Sequence, residues 1–171
     1  MRTVLVAYAS RMGSTQEIAT AIGDQLTSRG FEVQVVAAAA ATNAGIFDAV
    51  VLGSALYMGR WDRDAVHYLK RNGPDLADRP TWLFQSGPSG PPAGVRPTPT
   101  PRAVQRLCDK IGIAAPTTFG GNLDRSRAKG LLARWVSVGD LAGDFRDWDQ
   151  IRAWADDVAD QLMALGAPAG T

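Results

Sequence analysis

At 171 residues, 46% of them hydrophobic and 20% charged, the chain has the length of one domain and a globular composition, able to bury roughly two thirds of its unfolded surface without staples. One cysteine, Cys108, and one histidine, His67, exclude an internal disulfide and a Cys/His zinc site, while a net charge of +1 leaves no room for the basic stripe that nucleic acid demands. No apolar run nears the roughly 18 residues of a membrane span, and the apolar start meets Ser10 and Arg11 at once, as a strand does and a signal peptide does not; a cytoplasmic protein without a transmembrane segment is expected.

In chain order, TVLVAYA over 3–9 is a continuous β-branched run of the kind that a strand buried on both faces shows. The loop SRMGST follows, then a helix in which Ile18, Ile22 and Leu26 recur every four residues and Arg29–Gly30 mark the end. A second strand is expected over 31–37, an alanine-rich connection with a turn of helix after it, and a third buried strand over 47–55. A helix from about Asp62 to Arg71 turns Ala65, Val66 and Leu69 to one side. The fourth strand is expected over 79–87. The helix over 101–111 presents Val104, Leu107, Cys108 and Ile111, and the fifth strand covers 117–123. Asp147 and Gln150 have capping-box spacing before a last helix that buries Ile151, Ala155, Val158, Leu162 and Leu165. Strand alternating with helix predicts an α/β domain with a parallel sheet, occupying 1–166 with a tail over 167–171. The proline-rich stretch 87–101 is a stiff loop inside it.

In an open parallel sheet, ligands bind beyond the carboxyl ends of the strands. Here these ends lead into SRMGST, GSALYMGRW, QSGPSGPP and GGNLDRS, small-residue loops that converge on one edge. In the first loop Gly13 permits a tight turn, and Ser10, Ser14 and Thr15 offer hydroxyls beside the unpaired amides of a helix N-terminus, which suits a phosphate dianion. A plain helix cap is the competing reading. The loop is neither a Walker A sequence nor G-x-G-x-x-G.

This loop resembles the flavodoxin phosphate loop, T/S-x-T-G-x-T: Ser10, Gly13 and Thr15 match, and Met12 replaces a threonine. YASRMGSTQEIA, FDAVVLGSALYMGRW and RDWDQIRAWADDVA further resemble, in order, the flavodoxin-domain group that includes menaquinone-dependent protoporphyrinogen oxidases. The resemblance implies a flavodoxin-like doubly wound five-stranded parallel sheet, order 2-1-3-4-5 with helices on both faces, and FMN as cofactor. It implies that Ser10, Arg11, Met12, Gly13, Ser14 and Thr15 hold the phosphate, Arg11's part staying open. It also implies that Leu56, Tyr57, Met58 and Gly59 edge the ring with Tyr57 or Trp61 stacked on it, and that Ser86, Gly87 and Pro88 close the other side. Gly59 is the candidate for the glycine peptide that reorients on flavin reduction. Two departures stand out: no aromatic between Gln85 and Arg102, and a shorter segment over 124–145 than the oxidases carry.

Expected function is flavin-dependent electron transfer or oxidoreduction, with a redox protein, a small-molecule substrate or a quinone as partner; no catalytic acid or base stands out. A protoporphyrinogen-oxidase-type enzyme with a quinone acceptor and a non-catalytic interaction module are the alternatives. A phosphoacceptor receiver is disfavoured by Gly53-Ser54 and Gly120-Gly121, where it needs an Asp and a Lys. Cys108 is expected to pack in the core, His67 to lie on a solvated face, Trp135, Trp148 and Trp154 to cover the sheet or last helix, and Arg125, Arg127, Lys129 and Arg134 to pair with Asp140, Asp144, Asp147 and Asp149.

Overall fold

The computed structural model describes residues 1–87, 98–123 and 143–165. Pro88, Trp135, Asp140, most of the proline-rich loop and the basic cluster 125–134 lie outside them. Five parallel strands carry the fold: β1 (Thr3–Ala9), β2 (Glu32–Ala37), β3 (Ala49–Tyr57), β5 (Thr81–Gly87) and β6 (Thr117–Gly120), in the order β2-β1-β3-β5-β6. That is the expected 2-1-3-4-5 arrangement with one short strand, β4 (Arg60–Trp61), interposed and paired antiparallel to β3. A separate two-stranded ribbon joins β7 (Asn122–Leu123) to β8 (Gly143–Asp144).

Side-chain alternation along the strands divides the core in two. Leu5, Val50, Leu52 and Leu83 face α2 (Arg63–Arg71), α3 (Gly73–Ala77) and α4 (Arg102–Ile111). Val4, Val6, Val51, Phe84 and Phe119 face α1 (Ser14–Ser28) and the last helix, α5 (Trp148–Ala164). Each fully buried side chain of this size stabilises the fold by roughly 1.5–3 kcal/mol. On α1 the expected stripe Ile18, Ile22 and Leu26 is wholly buried. Arg29 ties α1 to Asp156 and Asp160 of α5. Trp154 of α5 meets Phe84 and Phe119 edge-on and donates its indole N–H to Thr117 Oγ1, so it covers the sheet as expected.

Several boundaries differ from the sequence reading. Strand β3 runs two residues further, to Tyr57, because β4 folds back and extends its ladder. The expected fifth strand breaks after Gly120, and Asn122–Leu123 leave for the ribbon. Helix α3, with Pro74 in its first turn, was not expected. Leu165 is not buried: it follows the end of α5 and is 65% exposed, whereas Ile151, Ala155, Val158 and Leu162 are buried. Asp147 caps α5 by accepting from the amides of Asp149 and Gln150. Cys108 is buried, and His67 is exposed. Asp144 pairs with Arg146, and Asp149 with Arg152. No described helix is long and apolar enough to cross a membrane.

Candidate functional site

The carboxyl ends of β1, β3, β5 and β6 lie along one edge, and specific hydrogen bonds draw their loops together. Ser10 Oγ accepts from the Gly13 amide at 3.0 Å, closing the first loop on itself. Gly13 then takes a φ of 92°, and α1 starts with no side-chain hydrogen bond capping it. The Glu17 amide bonds the Gly13 carbonyl, and among the described residues no side chain accepts from the amides of residues 14–16 of this 15-residue helix. Ser14 Oγ accepts the amide of Asn122 at 2.9 Å, which binds β7 to the loop and leaves the hydroxyl proton free to donate elsewhere. Thr15, 1% exposed, shares a 2.8 Å hydrogen bond with Ser86 at the end of β5. The first loop, Ser86 and Asn122 thus form one hydrogen-bonded unit.

Across the edge, β3 and β4 form a tight hairpin, with Tyr57 opposite Arg60. Its two central residues both have positive φ, 48° at Met58 and 71° at Gly59, the requirement of a type I′ turn. Glycine accepts this conformation freely, whereas methionine adopts it at a cost. Met58 is exposed, whereas Leu56 is in the core with only its backbone at the edge. Trp61 is 5% exposed and donates its indole N–H to buried Gln85, which in turn donates to Thr118. Tyr57 is half-buried, with the Arg11 guanidinium 5.3 Å from its ring centroid. Arg11 also pairs with Asp62 at 3.0 Å, joining the first loop to the start of α2. Gly87 ends β5 beside Gly120 of β6.

The expected residues 10–15, 56–59, 86 and 87 therefore border one edge, with Trp61 beneath it. Asp62, Gln85 and Asn122 were not singled out in the sequence. Asn122 lies in the loop GGNLDRS, already marked as one of the converging four. Further out, Arg146 joins Asp144 and Glu17 and lies 4.6 Å from the Trp148 ring centroid, fastening β8 to the first turn of α1. Its hydrogen bonds to Asp144, then Glu17, hold its pKa above the ordinary value. Among the described residues, no group of His, Cys, Asp and Glu could hold a metal.

No curated protein matches the sequence. Among solved structures, rubredoxin oxygen:oxidoreductase from the anaerobe Desulfovibrio gigas superposes with a TM-score of 0.65 at 18% identity, over 98% of this chain and 38% of that one. This chain thus spans less than two fifths of that protein. A flavodoxin from the domain Archaea gives 0.61 at 14% identity, over 94% of this chain and 99% of its own. The flavodiiron protein from Giardia intestinalis gives 0.63 at 17%, over 96% and 37%. At these identities the likeness establishes the fold. The profile of a family described as the flavodoxin domain matches residues 5–129, a stretch that runs from β1 through the first loop, the hairpin and β6; by that match, over most of its length, this chain belongs to the flavodoxin domain family.

Proposed function

We propose that the protein binds FMN across the carboxyl ends of β1, β3 and β5 and uses it for redox chemistry. Membership of the flavodoxin domain family implies this cofactor. The observation that carries the site assignment is the start of α1: a positive-φ glycine, amides without a side-chain cap, and Ser14 with its oxygen already accepting, so that its proton is available to an anion. In this reading residues 10–15 hold the phosphate by amides and hydroxyls. Arg11, committed to Asp62 and Tyr57, contributes field rather than a direct bond. Leu56 offers backbone alone, Met58 and Gly59 edge the ring, and Tyr57 stacks on it, because Trp61 is enclosed in the core. The Met58–Gly59 peptide offers its carbonyl to the ring edge, and Ser86 and Gly87 flank the opposite side. Bound FMN supplies one- or two-electron transfer, which no side chain of this site provides.

Titration of the apoprotein with FMN tests this reading. The expected result is 1:1 binding with quenched flavin fluorescence, weakened about tenfold in Ser14→Ala by loss of one charge-assisted hydrogen bond. A protein that leaves FMN fluorescence and absorbance unchanged refutes it and favours the interaction module.

The net charge of +1 bears on the finer role. A diffusing carrier gains encounter rate from a strong field of one sign, and this chain has no such imbalance. That supports an enzyme, or a carrier with one dedicated partner. The likeness of residues 8–19, 47–61 and 146–159 to the protoporphyrinogen oxidase group makes a quinone-accepting oxidase the specific enzyme to try. Anaerobic porphyrinogen turnover with a menaquinone analogue checks it; no turnover beside fast exchange with a flavodoxin reductase favours the carrier.

A further inference from the structure

Far from the proposed flavin seat, α2, α3 and α4 border a cavity of about 480 Å³, lined by apolar Leu69, Pro74, Leu107 and Ile111 and by Lys70 and Lys110. Thr81 Oγ1, on the first residue of β5, donates to the Leu76 carbonyl of α3 at 3.1 Å, which sets this cavity at the amino edge of the sheet, opposite the first loop. Both lysines are exposed and have no hydrogen-bond or ion-pair partner among the described residues.

The two helix layers carry opposite charge. Helices α2, α3 and α4 hold six Arg or Lys against three Asp, whereas α1 and α5 hold six Asp or Glu against one Arg. Arg29 and Arg146, outside these helices, offset part of the acidic layer. Asp157 of α5 stays exposed, with no ion pair or hydrogen bond among the described residues. Because the whole chain carries only +1, two copies meet without net repulsion, and the basic face of one attracts the acidic face of the other.

The acidic layer also carries an apolar end. Met163 is 43% and Leu165 65% exposed where α5 finishes. The Arg2 guanidinium, just before β1, donates to the Leu162 carbonyl, so this end too lies at the amino edge. The cavity and the apolar end therefore share one edge of the sheet, on its opposite faces.

We propose that a second copy of this chain docks in the cavity: Met163 and Leu165 of one copy enter it, and the carboxylates of α5 meet Lys70 and Lys110 of the other. The two surfaces differ, so the contact is heterologous and each added copy offers the next a free cavity, building an open head-to-tail stack. Exposed charges contribute little apiece, so the contact is weak, with a Kd on the order of 0.1–1 mM. The inference stands without the flavin reading, since the carboxyl edge takes no part in it.

Sedimentation equilibrium of the purified protein up to about 1 mM tests this. At about 20 mM salt the weight-average mass is expected to rise with concentration beyond that of two chains, and the association to weaken at least fivefold at about 500 mM salt. Lys70→Glu/Lys110→Glu and Asp157→Lys/Met163→Lys are each expected to weaken association at least fivefold while keeping the wild-type far-UV circular dichroism. An equimolar mixture of the two variants is expected to regain dimer formation, because each contributes one intact surface. Association indifferent to salt, association unchanged in either variant, a closed dimer, or a mixture that stays monomeric although both variants are folded overturns the proposal. A single-chain mass at every concentration overturns it too and leaves the cavity to a different acidic partner.

Discussion

Met58 and Gly59 concentrate the residue-scale demands of the site. A Cβ on Gly59 would meet no atom within 4 Å, so its φ of 71° and not its surroundings restricts the position. Gly59→Ala is expected to lose roughly 1–2 kcal/mol in urea unfolding, whereas Met58→Gly, at the φ of 48°, is expected to lose nothing or gain. Cys108 illustrates the opposite case, a group with chemistry that the fold silences. Burial pushes its thiol up to about 11, so it remains protonated at neutral pH. A thiol reagent at pH 8 is expected to label the native protein far more slowly than the urea-unfolded chain; equal rates would place Cys108 at the surface. Its burial was legible from the i, i+3, i+4, i+7 stripe of α4. The bond from Trp61 to Gln85 was not, because 24 residues separate the partners and only the packed sheet brings them together.

At the scale of elements, the long periodic segments were readable and the short, non-local ones were not. Helices α1, α4 and α5 and the parallel strands follow from hydrophobic pattern, β1, β3 and β5 most plainly because they are buried along most of their length, whereas β2 at the sheet edge has no buried residue and was read from its β-branched run. Strand β4 has two residues, and its turn is Met-Gly where a hairpin signal would be Asn-Gly. Helix α3 has five residues and one fully buried large side chain, Leu76. The β7–β8 ribbon depends on pairing Asn122 with Asp144, far along the chain. Its docking is nevertheless tight: a Cβ on Gly120 would lie 1.9 Å from the Phe145 carbonyl oxygen. Gly120→Ala is therefore expected to push the 143–146 segment away, costing about 1–3 kcal/mol. Because that segment holds Arg146 against Glu17 of α1, the variant is also expected to weaken FMN binding; unchanged stability and affinity would show the ribbon to be dispensable. Arg63→Gln removes a cation from the positive end of α2 and is expected to raise stability in urea unfolding by about 0.3–1 kcal/mol.

Over the whole molecule, the carboxylates set the acid limit. The amide and hydroxyl of Thr3 hold the Asp48 carboxyl below its ordinary value, and Arg146 does the same for Asp144. A carboxyl with a lower pKa in the folded than in the unfolded state contributes stability that is complete above the unfolded value, near ~4, and lost as pH falls through the folded one. Asp48→Asn and Asp144→Asn are each expected to flatten the fall in stability below pH about 4 and to lower stability at pH 7. The strand order, read from family resemblance, agrees with the folded molecule. Whether the start of α1 holds the phosphate of FMN is read from the affinity of the apoprotein for FMN against riboflavin, which lacks the phosphate. Two or more charge-assisted hydrogen bonds to the phosphate make FMN bind about 100-fold more tightly, with the ratio reduced in Ser14→Ala. Equal affinities, or a ratio untouched by that substitution, would contradict it.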